Sequence, residues 1–109
     1  MQQAKALQDR VTVVLAGELD HYTASQIRAQ LDEILQDPTL NHLVLDMGNL
    51  TFMDSSGIGV LLGRLRILQM RGGSLSVKNM QPPIAKLFRL TGMHRVIAVL
   101  DEFKGGQSE

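Results

Sequence analysis

Along the 109 residues, the spacing of apolar side chains switches repeatedly between two rhythms. That alternation limits the fold more than any single motif does. Short runs rich in β-branched residues read as strands, and between them apolar residues recur at helical spacing. Val11-Thr12-Val13-Val14-Leu15-Ala16-Gly17 is apolar almost throughout and predicts a central strand. Glu18-Leu19-Asp20-His21-Tyr22 follows as a loop. Thr23 with Gln26 three residues later has the form of a capping box. Ile27, Leu31, Ile34 and Leu35 then make one amphipathic stripe, closed by Asp37-Pro38. His42–Asp46 predicts a short buried strand, and Leu50, Phe52 and Met53 an apolar loop. A helix is expected from about Ser56 to Met70, stopped by Gly72-Gly73. Ser74–Lys78 alternates, as a strand with one wet face does. Pro82-Pro83 opens a third helix, with Ile84, Leu87, Phe88 and Leu90 inward and Gly92 as its cap. Arg95–Leu100 is a last strand, and a short strand near Lys5–Leu7 precedes the rest. The order β-α-β-α-β-α-β predicts an α/β layer architecture with a mainly parallel sheet and right-handed crossovers.

The length suits one domain spanning residues 1–109, with 1–4 and 105–109 expected as loose ends. Eleven basic and eleven acidic residues cancel, which removes any net electrostatic pull toward nucleic acid or anionic lipid. There is no cysteine, so disulfides and thiolate metal sites are excluded. No apolar run approaches a membrane span, and no leader-like segment opens the chain. The expectation is a cytoplasmic domain with no direct nucleic-acid or membrane partner.

One stretch resists a purely structural account. Phe52-Met53-Asp54-Ser55-Ser56-Gly57-Ile58-Gly59 passes from an apolar segment into a helix. Asp54, Ser55 and Ser56 are all N-cap types, and one cap needs only one of them. Gly57 and Gly59 each cost a helix about 1 kcal/mol relative to alanine. On a helical wheel, Ile58, Leu61, Leu62, Leu65 and Leu68 form one stripe, assigned to the sheet. Val60, Gly63, Ile67 and Met70, in line with Ser56, form a second on the opposite side, where a surface helix is polar. Either another element of the same domain covers that second stripe or a partner does.

Known catalytic patterns fit this stretch poorly. A dinucleotide fingerprint needs glycine where Leu62 stands, and a Walker A loop needs Gly-Lys where Arg64-Leu65 stands. Met53 breaks the Gly-x-Ser-x-Gly elbow. His21, His42 and His94 lack the pairing of a metal site, and none is tied by spacing to Ser55. No catalytic residue, metal or cofactor is expected. Phosphorylation of Ser55 fits better. A phosphate at a helix N-terminus meets free N–H groups and the positive end of the dipole. A partner lying there would meet about −1.5 to −2 of added charge beside Asp54. The fold survives and the interface does not.

These residues resemble a known family. Phe52 to Gly59 is similar to the phosphorylation-site signature of bacterial anti-sigma factor antagonists, the single-domain members of the STAS family. Gly17-Glu18-Leu19-Asp20 with Thr23-Ala24 resembles that family's first loop. Gly72-Gly73-Ser74-Leu75 and Leu87-Phe88-Arg89-Leu90-Thr91-Gly92 match later landmarks. The likeness covers roughly residues 10–100 in register and is greatest to the sporulation type.

The resemblance implies a four- to five-stranded mixed, mainly parallel sheet with helices packed mainly on one side. It implies that Ser55 is the phosphoacceptor and that the kinase is the cognate anti-sigma factor, which itself binds the ATP. Unphosphorylated chain would bind that anti-sigma factor and free the sigma factor, and a serine phosphatase would reset the switch. Glu18, Asp20, Asp54, Ser56, Gly57, Gly59, Val60, Gly63 and Ile67 would lie at or near the partner surface. The family usually ends with a fourth amphipathic helix, and here only Asp101-Glu102-Phe103-Lys104 precedes Gly105-Gly106, too short for a stable one. Whether truncated or lost, its absence would expose apolar surface and favour dimerisation, and a monomer or weak homodimer is expected. Two other readings stand beside this one. The first is a STAS domain serving a signalling scaffold or transporter. The second is a weak nucleotide-binding or nucleotide-hydrolysing domain using the glycine-rich turn and Asp54.

Overall fold

The computed structural model describes residues 3–7 and 9–100. Five strands form one sheet in the order β1 (Gln3–Leu7), β2 (Arg10–Leu19), β3 (His42–Met53), β4 (Ser74–Lys78) and β5 (Ala98–Leu100). β1 runs antiparallel to β2, while β2 through β5 are parallel neighbours. The crossovers carry α1 (Ala24–Ile34), α2 (Ser55–Met70) and α3 (Pro82–Thr91), and a 3₁₀ turn at Met93–Arg95 leads into β5. The chain is thus the single α/β domain, mixed and mainly parallel, that the alternation and the resemblance predict.

Every crossover joins adjacent parallel strands in the same direction, so the right-handed rule sends all three helices to one face. The core agrees. Val11, Val13 and Leu15 of β2, Leu43, Leu45 and Met47 of β3, and Leu75 and Val77 of β4 share one cluster with the helices. From those come Ile27 and Leu31 of α1, Leu61, Leu65 and Leu68 of α2, and Ile84 and Phe88 of α3. The alternate positions Thr12, Val44, Ser76 and Ala98 pair side by side on the other face.

The structure corrects the sequence reading in several places. Gln3 and Ala4, expected in a loose end, pair with Val14 and Val13 in β1; residues 105–109 and the short segment after Leu100 lie outside the described residues. β2 extends to Leu19, so Glu18 lies within a strand rather than in a loop. Leu90, expected on the inward face of α3, is 75% exposed. β3 has twelve residues, and takes in the segment read as an apolar loop. The polar run Gly48-Asn49 breaks the periodicity, yet pairing resumes as Ala16 with Asn49, Gly17 with Leu50 and Leu19 with Met53, across two register shifts. Such irregularities keep a ladder going while letting a strand bend. The Thr51 hydroxyl adds a bond to the Gly17 carbonyl at 3.0 Å. Ser76, expected on a wet face, is buried between Val44 and Ala98. The last strand is shorter than expected because Met93–Arg95 turns in 3₁₀ geometry after the left-handed Gly92.

Extending β2 and β3 together has a consequence for function. It carries Glu18, Asp20 and Asp54 to the same carboxyl edge of the sheet, the usual location of sites in open α/β folds.

Candidate functional site

Asp54 ends the extended backbone of β3 (φ −122°, ψ −166°), and its Oδ1 accepts the Ser56 N–H at 2.8 Å. Asp54 is therefore the N-cap, and Ser55 is the first residue of α2. Helical geometry leaves the first N–H groups without intrahelical partners. With Asp54 serving Ser56, the exposed Ser55 stands at the positive end of the helix with its hydroxyl not needed for capping. Ser56 is half-buried.

The loop between β2 and α1 lies alongside, because the Asp54 N–H donates to the Leu19 carbonyl at 3.3 Å. Its order comes from hydrogen bonds. Asp20 Oδ1 accepts the N–H groups of Tyr22 at 2.9 Å and Thr23 at 3.0 Å. The Thr23 hydroxyl donates to the Glu18 carbonyl at 2.8 Å and accepts the Asp20 N–H at 2.9 Å. Thr23 therefore does not cap α1 with its side chain, and the capping box read from Thr23 and Gln26 does not form. The turn takes the hydroxyl instead. Desolvation pushes the Asp20 carboxyl up, but hydrogen bonds, chiefly those from the N–H groups of Thr23 and Tyr22, outweigh it and hold the group below its usual range. A cleft of about 250 Å³ lies beside this loop, lined in part by Gly17, Glu18, Gln26 and Gln30.

On α2 the structure rotates the stripes drawn from the sequence. Val60 is 6% exposed and packs into the core, so its side chain cannot reach a partner. Ile67 is half-buried against the same cluster. One turn after Val60, Arg64 is buried, with its Nε 3.0 Å from Asp32 Oδ1 of α1. Another element of the same domain therefore covers this flank. The apolarity of the wheel does not reveal it because Arg64, an arginine with a long apolar stem, belongs inside. Leu62, assigned to the sheet, is 42% exposed. The face open to solvent holds Ser55, Gly59, Leu62, Arg66 and Met70.

The glycines divide in the same way. Gly57 is buried, and a Cβ there would sit 2.5 Å from Met53 Cγ and 2.8 Å from Leu19 Cγ. It lets α2 press onto the ends of β2 and β3, and is not a surface residue. A Cβ at Gly59 or Gly63 would meet nothing within 4 Å, so internal packing does not require either glycine. Glu18 and Gly59 are exposed, and Asp20 and Gly63 are half-buried.

The structure thus brings Glu18, Asp20, Asp54, Ser55, Ser56 and Gly59 to one edge, and takes Gly57, Val60 and Ile67 inward. The sequence reading missed Tyr22 and Phe52 at the same edge, 88% and 48% exposed. The available signal was an aromatic in a polar loop and another in an apolar segment just before the serines. Neither His42 nor His94 brings a base to Ser55 through the contacts it makes. His42 Nδ1 lies 2.8 Å from Ser74 Oγ with Asp9 on its other side, and His94 Nδ1 lies 3.4 Å from the Phe88 carbonyl. Among the described residues no group of three or more His, Asp or Glu side chains could hold a metal ion, and no helix is long and apolar enough to cross a membrane.

Comparison with known proteins gives a consistent set of likenesses. The family model for the STAS domain matches residues 2–104. The anti-sigma F factor antagonist of Paenibacillus polymyxa is 42% identical over 89 residues, covering 82% of this chain and 76% of that protein. The anti-sigma-B factor antagonist of Bacillus subtilis (strain 168) is 29% identical over 102 residues, 94% of this chain and 92% of that one. The solved structure of the anti-sigma factor antagonist SpoIIAA in its unphosphorylated form superposes with a TM-score of 0.73 at 30% identity, covering 94% of this chain and 90% of SpoIIAA. The phosphorylated form of Bacillus SpoIIAA gives a TM-score of 0.71 at 31% identity, covering 94% and 93%.

Proposed function

The chain belongs to the STAS domain family, and on that premise we propose that it acts as an anti-sigma factor antagonist switched at Ser55. The unphosphorylated chain binds an anti-sigma factor that is also a serine kinase and so releases the sigma factor. The partner holds the ATP. Its γ-phosphoryl group passes to Ser55 Oγ, the bond to ADP breaks, and the hydroxyl proton is released. A serine phosphatase hydrolyses the phosphoserine and restores binding.

One observation carries this reading: Ser55 is exposed at the first position of α2 while Asp54 does the capping. A structural serine at a helix start would itself be the cap. Here the hydroxyl is spare, and phosphate added to it leaves the cap intact. The negative charge meets the helix dipole favourably within the domain. Across an interface it meets whatever lies against Ser55, with Glu18, Asp20 and Asp54 already clustered there. In the free chain the phosphate stays in solvent, whereas a partner must desolvate its charge and make room for its bulk, so the complex is disfavoured far more than the fold is disturbed. The names of the relatives, and the existence of SpoIIAA in both phosphorylated and unphosphorylated forms, support the same reading.

The test is peptide mass spectrometry after incubating the chain with purified anti-sigma F factor of Paenibacillus polymyxa and ATP. The expected result is one phosphate, on Ser55. Phosphate on Ser56 would keep the role and move the site by one residue. No phosphate, with the kinase shown active on its own antagonist, would overturn the proposal.

A further inference from the structure

We infer that Tyr22 is the aromatic anchor of the partner interface, its ring leaving this surface to fill an apolar pocket on the anti-sigma factor. The inference rests on the function proposed above and adds a specificity-determining residue to it. Tyr22 is 88% exposed, more than any other large hydrophobic residue among those described. Met70 at 83% and Leu90 at 75% come close, and each lies in the last turn of its helix.

Tyr22 is mounted differently. Its own N–H and that of Thr23 are both fixed to Asp20 Oδ1, and the Thr23 hydroxyl ties the turn back to the Glu18 carbonyl. The His21 ring meets the Tyr22 ring edge to face, with centroids 5.4 Å apart and planes at 73°. The backbone is therefore fixed before any partner arrives, and the His21 ring supports one edge of the tyrosine. A tyrosine presented this way loses little conformational freedom on binding and buries a large apolar area, the combination that makes aromatic residues dominate interface energetics. The hydrogen bond from the Asp54 N–H to the Leu19 carbonyl places this loop directly beside the start of α2, so the anchor is continuous with the Ser55 surface. Glu18 and Asp20 flank it as a polar rim. At 88% exposure the residue leaves nearly all of its area free for a partner.

The test titrates the chain with Paenibacillus polymyxa anti-sigma F factor and ADP, so that no phosphoryl transfer occurs. Wild type is expected to bind. Tyr22→Ala should bind at least tenfold more weakly, chiefly through faster dissociation. Tyr22→Phe should stay within about twofold, and both variants should melt with the wild type. If wild type fails to bind, the function proposed above falls, and the anchor with it. If wild type and Tyr22→Ala bind alike, the anchor alone is overturned. Equal loss in Tyr22→Phe would assign the effect to the hydroxyl and sink the apolar-pocket inference. Sedimentation of the chain alone covers the remaining occupant. Self-association that Tyr22→Ala abolishes would make this a contact between copies and overturn the inference.

Discussion

Helix α2 has two flanks built by opposite means. The flank toward α1 is held by packing: Val60 and Leu61 are buried, and Arg64 reaches Asp32. The flank toward solvent carries Ser55, Gly59 and Leu62, and the loop beside it is held by hydrogen bonds to one carboxylate and one hydroxyl. Packing commits a surface to its own domain. Hydrogen bonds within a turn order a surface while leaving its side chains free for something else. The difference separates what α2 does for stability from what it offers a partner, within a single turn of helix.

The same charge placed on adjacent residues should act very differently on the two flanks. Val60→Asp puts an unpaired carboxylate into the core and should cost about 3 kcal/mol or more, enough to unfold much of a marginal domain. Gly59→Asp should change stability by no more than about 0.5 kcal/mol, and should abolish binding to the anti-sigma factor. Urea unfolding and a binding titration on both variants check this. Equal stability losses would mean that the flanks are not distinct. A smaller effect is expected between the helices. Asp32→Ala strips Arg64 of its counter-charge, but Asp32 is half exposed, so the loss should be about 1–2 kcal/mol, below the figure for a fully buried pair. Arg64→Met should cost less than Asp32→Ala, because it leaves the exposed partner uncompensated rather than the buried one.

Much of the fold was legible because β2 to β5 and the three helices follow simple periodicities. Thr23, Arg64 and the second half of β3 were not, for three different physical reasons. Thr23 has two competing uses, capping a helix or closing a turn, and local spacing is the same for both. Arg64 counts as polar on a wheel, although its stem buries well and its charge finds Asp32 on another element. The segment from Gly48 to Met53 pairs with β2 only through register shifts, which erase the strand rhythm. At the site, the edge holding Glu18, Asp20, Asp54 and Ser55 could be anticipated from residue types. Which of Gly57, Gly59, Val60 and Gly63 face outward depends on how α2 rotates against Met53, Leu19 and α1, and no local pattern encodes that rotation.

The proposed switch at Ser55 should act on one flank alone. Ser55→Ala should keep partner binding and be immune to the kinase. Ser55→Asp should weaken binding while the melting temperature changes little, because an acidic residue in the first turn is worth about 0.3–1 kcal/mol in the favourable direction. A large stability loss in Ser55→Asp would show that Ser55 is not at the helix start and that Asp54 is not the cap.

The smallest expected effect separates the two flanks by pH. The Asp20 carboxyl is held below its unfolded value of 3.8, so the unfolded chain takes up this proton at higher pH than the native chain does. Its contribution is therefore fully present above that value and is lost as pH falls through the lower, folded one. Asp20 is at the surface, so global stability should hardly register the change. The loop should register it, because protonation weakens the acceptor that fixes the Tyr22 and Thr23 amides. Amide hydrogen exchange, corrected for intrinsic rates, should show protection at Tyr22 and Thr23 falling in acid while that at Val60 and Leu61 holds. Asp20→Asn keeps an acceptor oxygen and loses the proton, so its loop protection should no longer depend on pH in this range. If the amides of α2 and the loop lose protection together, the loop is held by the same packing as the core, and the division between the flanks fails.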